Sequence, residues 1–129
     1  MDSPDKSSTR DQGLEAETSA LRYLKGLGCS ILERNYRSRR GEVDLIARKG
    51  GVIYFVEVKL RRSGRFGSAA QAISPSKQRK IALAAMDYVQ RAKIKGQDLR
   101  FAALVMDESE GKRHVEFFEF SLDLPMQYY

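Results

Sequence analysis

The spacing of apolar residues changes along the chain, and the change predicts the order of helices and strands. Between residues 11 and 27 they recur at intervals of three and four, which indicates a helix with one packed face. Residues 29–36, 42–48 and 52–60 predict three strands, and Lys49-Gly50-Gly51 indicates a tight hairpin turn. The third strand is apolar on both faces for most of its length, so we expect it at the centre of a sheet.

The second half of the chain continues with one helix and two strands. Ser74-Pro75 is typical of a helix cap followed by proline at the first helical position, and the apolar stripe behind it predicts a helix to residue 93 or 94. Residues 99–106 and 114–120 predict two strands, with a turn over residues 107–112. This order favours an α/β fold in three layers, with helices on both faces of a central mixed sheet of four to five strands.

The composition of the N-terminal residues sets the predicted domain boundaries. Residues 1–10 are polar and predict a disordered N-terminal tail, and residues 11–129 predict a single domain. No apolar run approaches the roughly 20 residues of a membrane span, and the polar start gives no signal peptide. We therefore expect a cytoplasmic protein.

The charge balance narrows the choice of partners. The net charge is +6 and the sequence pI is about 9.6, so anionic partners are favoured. Nucleic acid is the leading candidate, and an acidic protein or a membrane surface is also compatible. Cys29 and His114 are the single cysteine and histidine, which excludes an intrachain disulfide and a zinc cluster of several thiolates.

Three charged residues stand near the ends of two neighbouring predicted strands. Asp44 lies in Gly41-Glu42-Val43-Asp44-Leu45-Ile46, and Glu57 and Lys59 lie in Phe55-Val56-Glu57-Val58-Lys59. Strand alternation places Glu57 and Lys59 on one face, which Asp44 can reach from the paired strand. Carboxylates suit Mg²⁺ or Mn²⁺, so Asp44 and Glu57 would bind the metal with the Val58 carbonyl, and Lys59 would orient a water and contact the phosphate. The alternative is a strand-end salt bridge made by Lys59.

Two more acidic residues are candidates for the same site. Glu17 follows Leu14 by three residues and precedes Leu21 by four, so it lies on the packed face of the first helix. It would be a further metal ligand or hold a metal-bound water, or else a partly exposed carboxylate paired with an arginine. Glu42 shares the alternation of Asp44 and would support the site, unless it is simply exposed.

Basic residues border this candidate site in the sequence. Phosphate contacts would explain them, and the alternative is a set of solvated side chains that only aid solubility. The candidates for nucleic-acid binding are Arg37, Arg39, Arg40, Arg61, Arg62, Arg65 and Lys77.

The motifs together resemble the YraN-type bacterial proteins, a family of unknown function. The two blocks around Asp44 and Glu57 carry the resemblance, which extends over nearly the whole chain after the N-terminal tail. Further matching residues are Gly13, Glu17, Ala20, Tyr23, Leu24, Gly28, Asn35, Arg61, Gly67, Lys77, Arg100 and Phe101. The family usually carries an Asp after Arg-Phe, where this chain has Ala102.

That family in turn resembles the restriction-endonuclease-like (PD-(D/E)XK) nucleases, and within them the archaeal Holliday-junction resolvases. The resemblance implies a restriction-endonuclease-like fold, with Asp44, Glu57 and Lys59 as the nuclease motif and Glu17 as the helix carboxylate. Junction enzymes commonly cut as pairs, so a homodimer is compatible by analogy. A shared fold does not by itself establish cleavage.

Three functions follow from these observations. The first is a Mg²⁺- or Mn²⁺-dependent endonuclease that hydrolyses phosphodiester bonds in DNA, including branched or structured DNA. The second is a non-catalytic nucleic-acid-binding protein that retains the nuclease fold. The third is a protein-interaction module whose basic face meets an acidic partner. The carboxylate–lysine set favours the first, because neither of the others needs it.

Overall fold

The helices and strands follow the predicted order. The computed structural model describes residues 5–62 and 73–121, with side chains from residue 15 onward. The elements are α1 (Asp5–Gly26), β1 (Ser30–Arg37), β2 (Glu42–Lys49), β3 (Val52–Arg61), α2 (Pro75–Arg91), β4 (Asp98–Ser109) and β5 (Lys112–Phe120).

One mixed sheet contains all five strands in sequence order, β1-β2-β3-β4-β5. β3 and β4 pair in parallel, and the other neighbouring strands pair antiparallel. A parallel pair needs a crossover connection, and α2 lies in the segment that joins these two strands. The central position predicted for β3 is confirmed.

Each helix packs on its own face of the sheet, which gives the predicted three layers. Ala16, Ala20 and Leu24 of α1 lie in one buried cluster, here the α1-side core. Five residues of α2 lie in the other, the α2-side core: Ile81, Ala84, Ala85, Tyr88 and Val89. β3 feeds both cores in strict alternation, with Ile53 and Phe55 in the α2-side core and Tyr54, Val56, Val58 and Leu60 in or against the α1-side core.

Two element boundaries differ from the predicted ones. α1 begins at Asp5, so residues 5–10, predicted as part of the tail, are helical; a low apolar content argues against burial and not against helix formation. The β4–β5 hairpin continues beyond the apolar run to the pair Ser109↔Lys112, and the turn occupies only Glu110 and Gly111, both with positive φ. Within the described ranges, neither helix has the hydropathy needed to cross a membrane.

The single cysteine is a core residue. Cys29 directly precedes β1, is 8% exposed and lies in the α1-side core. Burial raises the pKa of its thiol, against a smaller opposing effect of Lys49. Its environment is structural, as expected for a lone cysteine in an apolar segment.

Candidate functional site

Asp44 and Glu57 meet at the point where β2 and β3 separate. The last pair of their ladder is Leu45↔Val56, so the next residue on each strand is Asp44 and Glu57. There the Val58 N–H donates a hydrogen bond to Asp44 Oδ2 at 2.8 Å. A carboxylate has thus replaced a backbone carbonyl as the acceptor of a β3 amide, which holds the Asp44 side chain beside Glu57.

A local irregularity gives Asp44 access to both faces of the sheet. Val43 packs in the α2-side core and Leu45 in the α1-side core, although strict alternation would place them on one face. Asn35, which lies opposite Asp44 in the β1–β2 ladder, has a φ of 51°. The break in alternation at this position places Asp44 between Glu57 and the helix α1.

Burial raises the pKa of both carboxylates of this site, and the charge of Asp44 adds to the effect at Glu57. Burial, and next the charge of Asp44, raises the pKa of Glu57 to about 7. Burial also raises the pKa of Asp44, against the opposing hydrogen bond from Val58. Glu57 Oε1 is buried and has no hydrogen-bond partner. A proton shared with Asp44 or a bound cation would satisfy this oxygen, which otherwise costs about 1–3 kcal/mol.

Lys77 supplies the positive charge nearest to this pair in the described structure. Its Nζ lies 3.1 Å from Glu42 Oε2 and 3.4 Å from Glu57 Oε2. Ser74 caps α2 and accepts a hydrogen bond from the Lys77 N–H, which fixes the backbone of the first turn. Burial alone would lower the pKa of Lys77, but Glu57 and Glu42 outweigh it and the pKa is raised. Lys77 is therefore held as an ammonium.

Glu17 lies on the opposite side of Asp44. A cavity of about 240 Å³ is lined by Ala16, Glu17, Asp44, Val58 and Leu60. Glu17 is 17% exposed at its side chain and forms an ion pair with Arg34 at 2.8 Å. Its charge is a minor contribution, after burial, to the raised pKa of Asp44. Glu17 thus has the arginine partner that the sequence allowed, and it also borders the same cavity as Asp44.

Lys59 lies outside this cluster. It is exposed on β3, two residues beyond Glu57, and it forms no ion pair with any acidic side chain in the described parts of the chain. The strand-end salt bridge considered from the sequence is therefore made by Lys77 and not by Lys59. The sequence did contain a sign that Lys77 has an acidic partner elsewhere in the fold. A lysine in the first turn of a helix, with no acidic residue in that turn, is disfavoured by the helix dipole.

Gly41 fixes the approach of the β1–β2 connection to α2. A Cβ atom at this residue would lie 2.2 Å from the Lys80 carbonyl oxygen and 2.8 Å from the Ala84 nitrogen. Only glycine allows this contact without a backbone shift. The contact places Glu42, the next residue, within reach of Lys77.

The arginines of the β1–β2 connection border a groove. Arg37 pairs with Glu42 at 3.7 Å. Arg39 and Arg40 are exposed and line a groove of about 610 Å³ together with Ser38, Leu83, Met86, Asp87 and Gln90. These two guanidinium groups are accessible to an anionic ligand.

The arginines that follow β3 have other surroundings. Arg61 pairs with the buried Asp107 at 3.2 Å and is itself only 18% exposed at its side chain. Arg62 lies 3.9 Å from Glu108. Arg65 lies outside the described residues. Arg61 therefore neutralises a buried carboxylate at the end of the sheet.

The side chains of this site offer few ligands to a divalent cation, and all of them are carboxylates. Among the described residues, no three His, Cys, Asp or Glu side chains form a metal cage. Asp44 and Glu57 do offer two adjacent carboxylates, one with an oxygen that lacks a donor. Mg²⁺ keeps several waters and commonly takes only one or two protein carboxylates. The residues present fit such an ion, with Asp44 and Glu57 as its ligands and Val58 beside them.

Ala102 adds no polar group to the site. It is fully buried in the α1-side core and pairs with Val56 across the β3–β4 ladder.

Comparison with known proteins identifies relatives over most of the chain. Residues 16–106 match the family described as "Uncharacterised protein family UPF0102". The chain is 42% identical over 106 residues to a "UPF0102 protein" of Neisseria gonorrhoeae, covering 82% of this chain and 90% of that protein. It is 47% identical over 92 residues to one of Caldicellulosiruptor saccharolyticus (71% and 78%), and 37% identical over 120 residues to one of Geotalea daltonii (92% and 94%). The matched region contains β1 to β3, α2 and the residues that hold Asp44 and Glu57 together. The chain belongs to the uncharacterised family UPF0102, the YraN-type family that its motifs resemble.

Proposed function

We propose that this protein is a metal-dependent nuclease that hydrolyses phosphodiester bonds in DNA. The observation that carries the proposal is the Asp44–Glu57 pair, in which a buried carboxylate oxygen has no donor. An ordinary core avoids two adjacent carboxylates, because both are costly to ionise there. A site for a hard divalent cation needs this arrangement. The resemblance to restriction-endonuclease-like nucleases supports the same conclusion.

Each side chain has a distinct task in the proposed reaction. Mg²⁺ or Mn²⁺, when bound by Asp44 and Glu57, would supply Lewis-acid charge and a more acidic water. Lys59 is exposed two residues beyond Glu57, so its ammonium is available to the scissile phosphate. Glu17 borders the cavity beside Asp44 and would accept a hydrogen bond from a water there.

The surrounding arginines support a polyanionic substrate. Arg39 and Arg40 are exposed beside the groove, next in sequence to Gly41 and Glu42. Contacts from such groups to phosphates position a nucleic acid without reading its sequence. The preference for branched DNA expected from the resemblance to junction resolvases belongs to this proposal, as does the homodimer.

Cleavage assays with matched variants test the proposal. The purified chain is incubated with Mg²⁺ or Mn²⁺ and with linear, nicked, flapped and four-way DNA. Asp44→Asn and Glu57→Gln are expected to abolish cleavage while circular dichroism shows an unchanged fold. Glu110→Gln, in the exposed β4–β5 turn, serves as the control and is expected to cleave normally. The absence of cleavage by the wild type on every substrate would refute the nuclease; salt-sensitive binding that survives Asp44→Asn would then favour the non-catalytic nucleic-acid-binding protein.

A further inference from the structure

Lys77 occupies a position that helix stability does not favour. It lies in the first turn of α2, which contains no acidic residue. The amino end of a helix carries partial positive charge, so a lysine there is disfavoured. Its side chain nevertheless turns toward the sheet and is only 28% exposed. The carboxylates of the site, and not the helix, explain its presence.

The contacts of Lys77 are divided between two different carboxylates. Glu42 is 39% exposed at its side chain and lies 3.1 Å from the ammonium. Glu57 is 9% exposed and lies 3.4 Å away. The ammonium touches Glu57 through Oε2, and the other oxygen, Oε1, has no partner. Lys77 therefore neutralises the site only in part.

A divalent cation and this ammonium compete for the same carboxylate. Both need to lie within a few ångströms of Glu57, where two positive charges repel each other. Glu42 is the closer and more exposed partner, so it can retain Lys77 when Glu57 turns to another cation. Lys77 contacts Glu42 Oε2, and Arg37 Nε lies 3.7 Å from the other oxygen, Oε1.

We propose that Lys77 is a positioning residue that holds Glu57 while no metal is bound and yields this carboxylate to the incoming divalent cation, with Glu42 as its alternative partner. The inference deepens the proposed function and rests on it for the identity of the cation. It predicts that Lys77 orders the site at the expense of metal affinity.

Metal titration of matched variants tests the exchange. Mn²⁺ alone is titrated by calorimetry into the metal-free full-length chain at about pH 8.5, where carboxylates are normally ionised. Lys77→Met is expected to bind Mn²⁺ about tenfold more tightly, since a partly buried competitor is removed. Arg79→Met removes the same charge from an exposed residue of the same helix and is expected to bind like the wild type. Equal or weaker binding by Lys77→Met would overturn the proposal, as would a wild type that binds no Mn²⁺.

A second measurement needs no metal and no cleavage. Free energies of unfolding in EDTA are compared for Lys77→Met, Glu57→Gln and the double variant. If Lys77 acts through Glu57, the loss caused by Lys77→Met is smaller in the Glu57→Gln background, where only the contact with Glu42 remains. Lys77→Arg, which keeps the charge, is expected to retain most of the wild-type stability. Additive effects would refute the pairing. If Lys77→Met does not fold, Lys77→Gln replaces it in both experiments. A chain that binds Mn²⁺ and shows this exchange but cleaves no DNA would refute the nuclease and leave the role of Lys77 standing.

Discussion

Glu57 makes the stability of the fold depend on pH in an unusual direction. Its side chain is 9% exposed, and burial with the Asp44 charge raises its pKa from 4.5 to about 7. Between these two values the folded chain binds more protons at this residue than the unfolded chain does. The contribution of Glu57 to stability is therefore lost as the pH rises through 7, opposite to the effect of a typical paired carboxylate.

The size of the effect follows from the difference between the two pKa values. Each pKa unit corresponds to about 1.36 kcal/mol, so ionising Glu57 in the folded chain costs up to about 3 kcal/mol. Glu57→Gln keeps the shape of the side chain and removes the charge. We expect this variant to be about 1–3 kcal/mol more stable than the wild type at high pH and to show a smaller difference near pH 5.

Chemical denaturation measures this difference directly. Urea unfolding is followed by circular dichroism in EDTA at several values between about pH 5 and pH 8. The quantity of interest is the free energy of unfolding of Glu57→Gln minus that of the wild type, because other titrating groups then cancel. Glu110→Gln, in the exposed β4–β5 turn, is the control for exchanging a carboxylate for an amide away from the site, and it is expected to change the free energy of unfolding by less than about 0.5 kcal/mol. A Glu57→Gln variant that is less stable than the wild type at the highest pH would refute the reasoning.

Three further predictions address the metal, the loop and the phosphate contacts. Protons compete with the metal for the carboxylates of Asp44 and Glu57. Calorimetry should therefore show a Mn²⁺ affinity that rises by up to about tenfold per pH unit below pH 7 and levels off above it. An affinity independent of pH would contradict the raised pKa of Glu57. Gly41→Ala should lower the free energy of unfolding by about 1–3 kcal/mol in urea denaturation, because the added Cβ would meet the backbone of α2. The control is Gly51→Ala, whose added Cβ would have no atom within 4 Å. Equal stability of the two variants would refute this packing. Lys59→Met should stop cleavage yet change the free energy of unfolding by less than about 0.5 kcal/mol; normal cleavage by this variant would exclude Lys59 from the site. The double variant Arg39→Ala/Arg40→Ala should bind DNA more weakly and with a smaller salt dependence in fluorescence titrations. An unchanged salt dependence would exclude these two arginines from DNA binding.

The order of elements and their faces could be predicted because local patterns determine them. The alternation of β3 assigned Phe55 and Val56 to opposite cores, and both lie there. The Ser74 cap was readable because a side chain and a backbone N–H three residues apart form it. The start of α1 at Asp5 could not be predicted, because the first turns of this helix lack the apolar periodicity on which the prediction relied.

The contacts within the site depended on long-range geometry. The meeting of Asp44 with Glu57 was expected from the pairing of their strands, and the structure brings them together. The ion pair of Lys77 with Glu57 was not foreseen, because these two residues are 20 positions apart and come from different layers. The break in alternation at Asp44 likewise occurs beside a positive φ at Asn35 on the neighbouring strand. A pattern along one strand does not contain this information.

The sheltered thiol of Cys29 makes the chain convenient for spectroscopy. Its 8% exposure and raised pKa leave little reactive thiolate at neutral pH. A second cysteine introduced at the exposed Lys93 would then take a maleimide dye or nitroxide at one chosen place. If Mn²⁺ binds as proposed, distances from such a label to the ion, whose unpaired electrons broaden nearby resonances, would locate it in solution without changing Cys29 or any residue of the site.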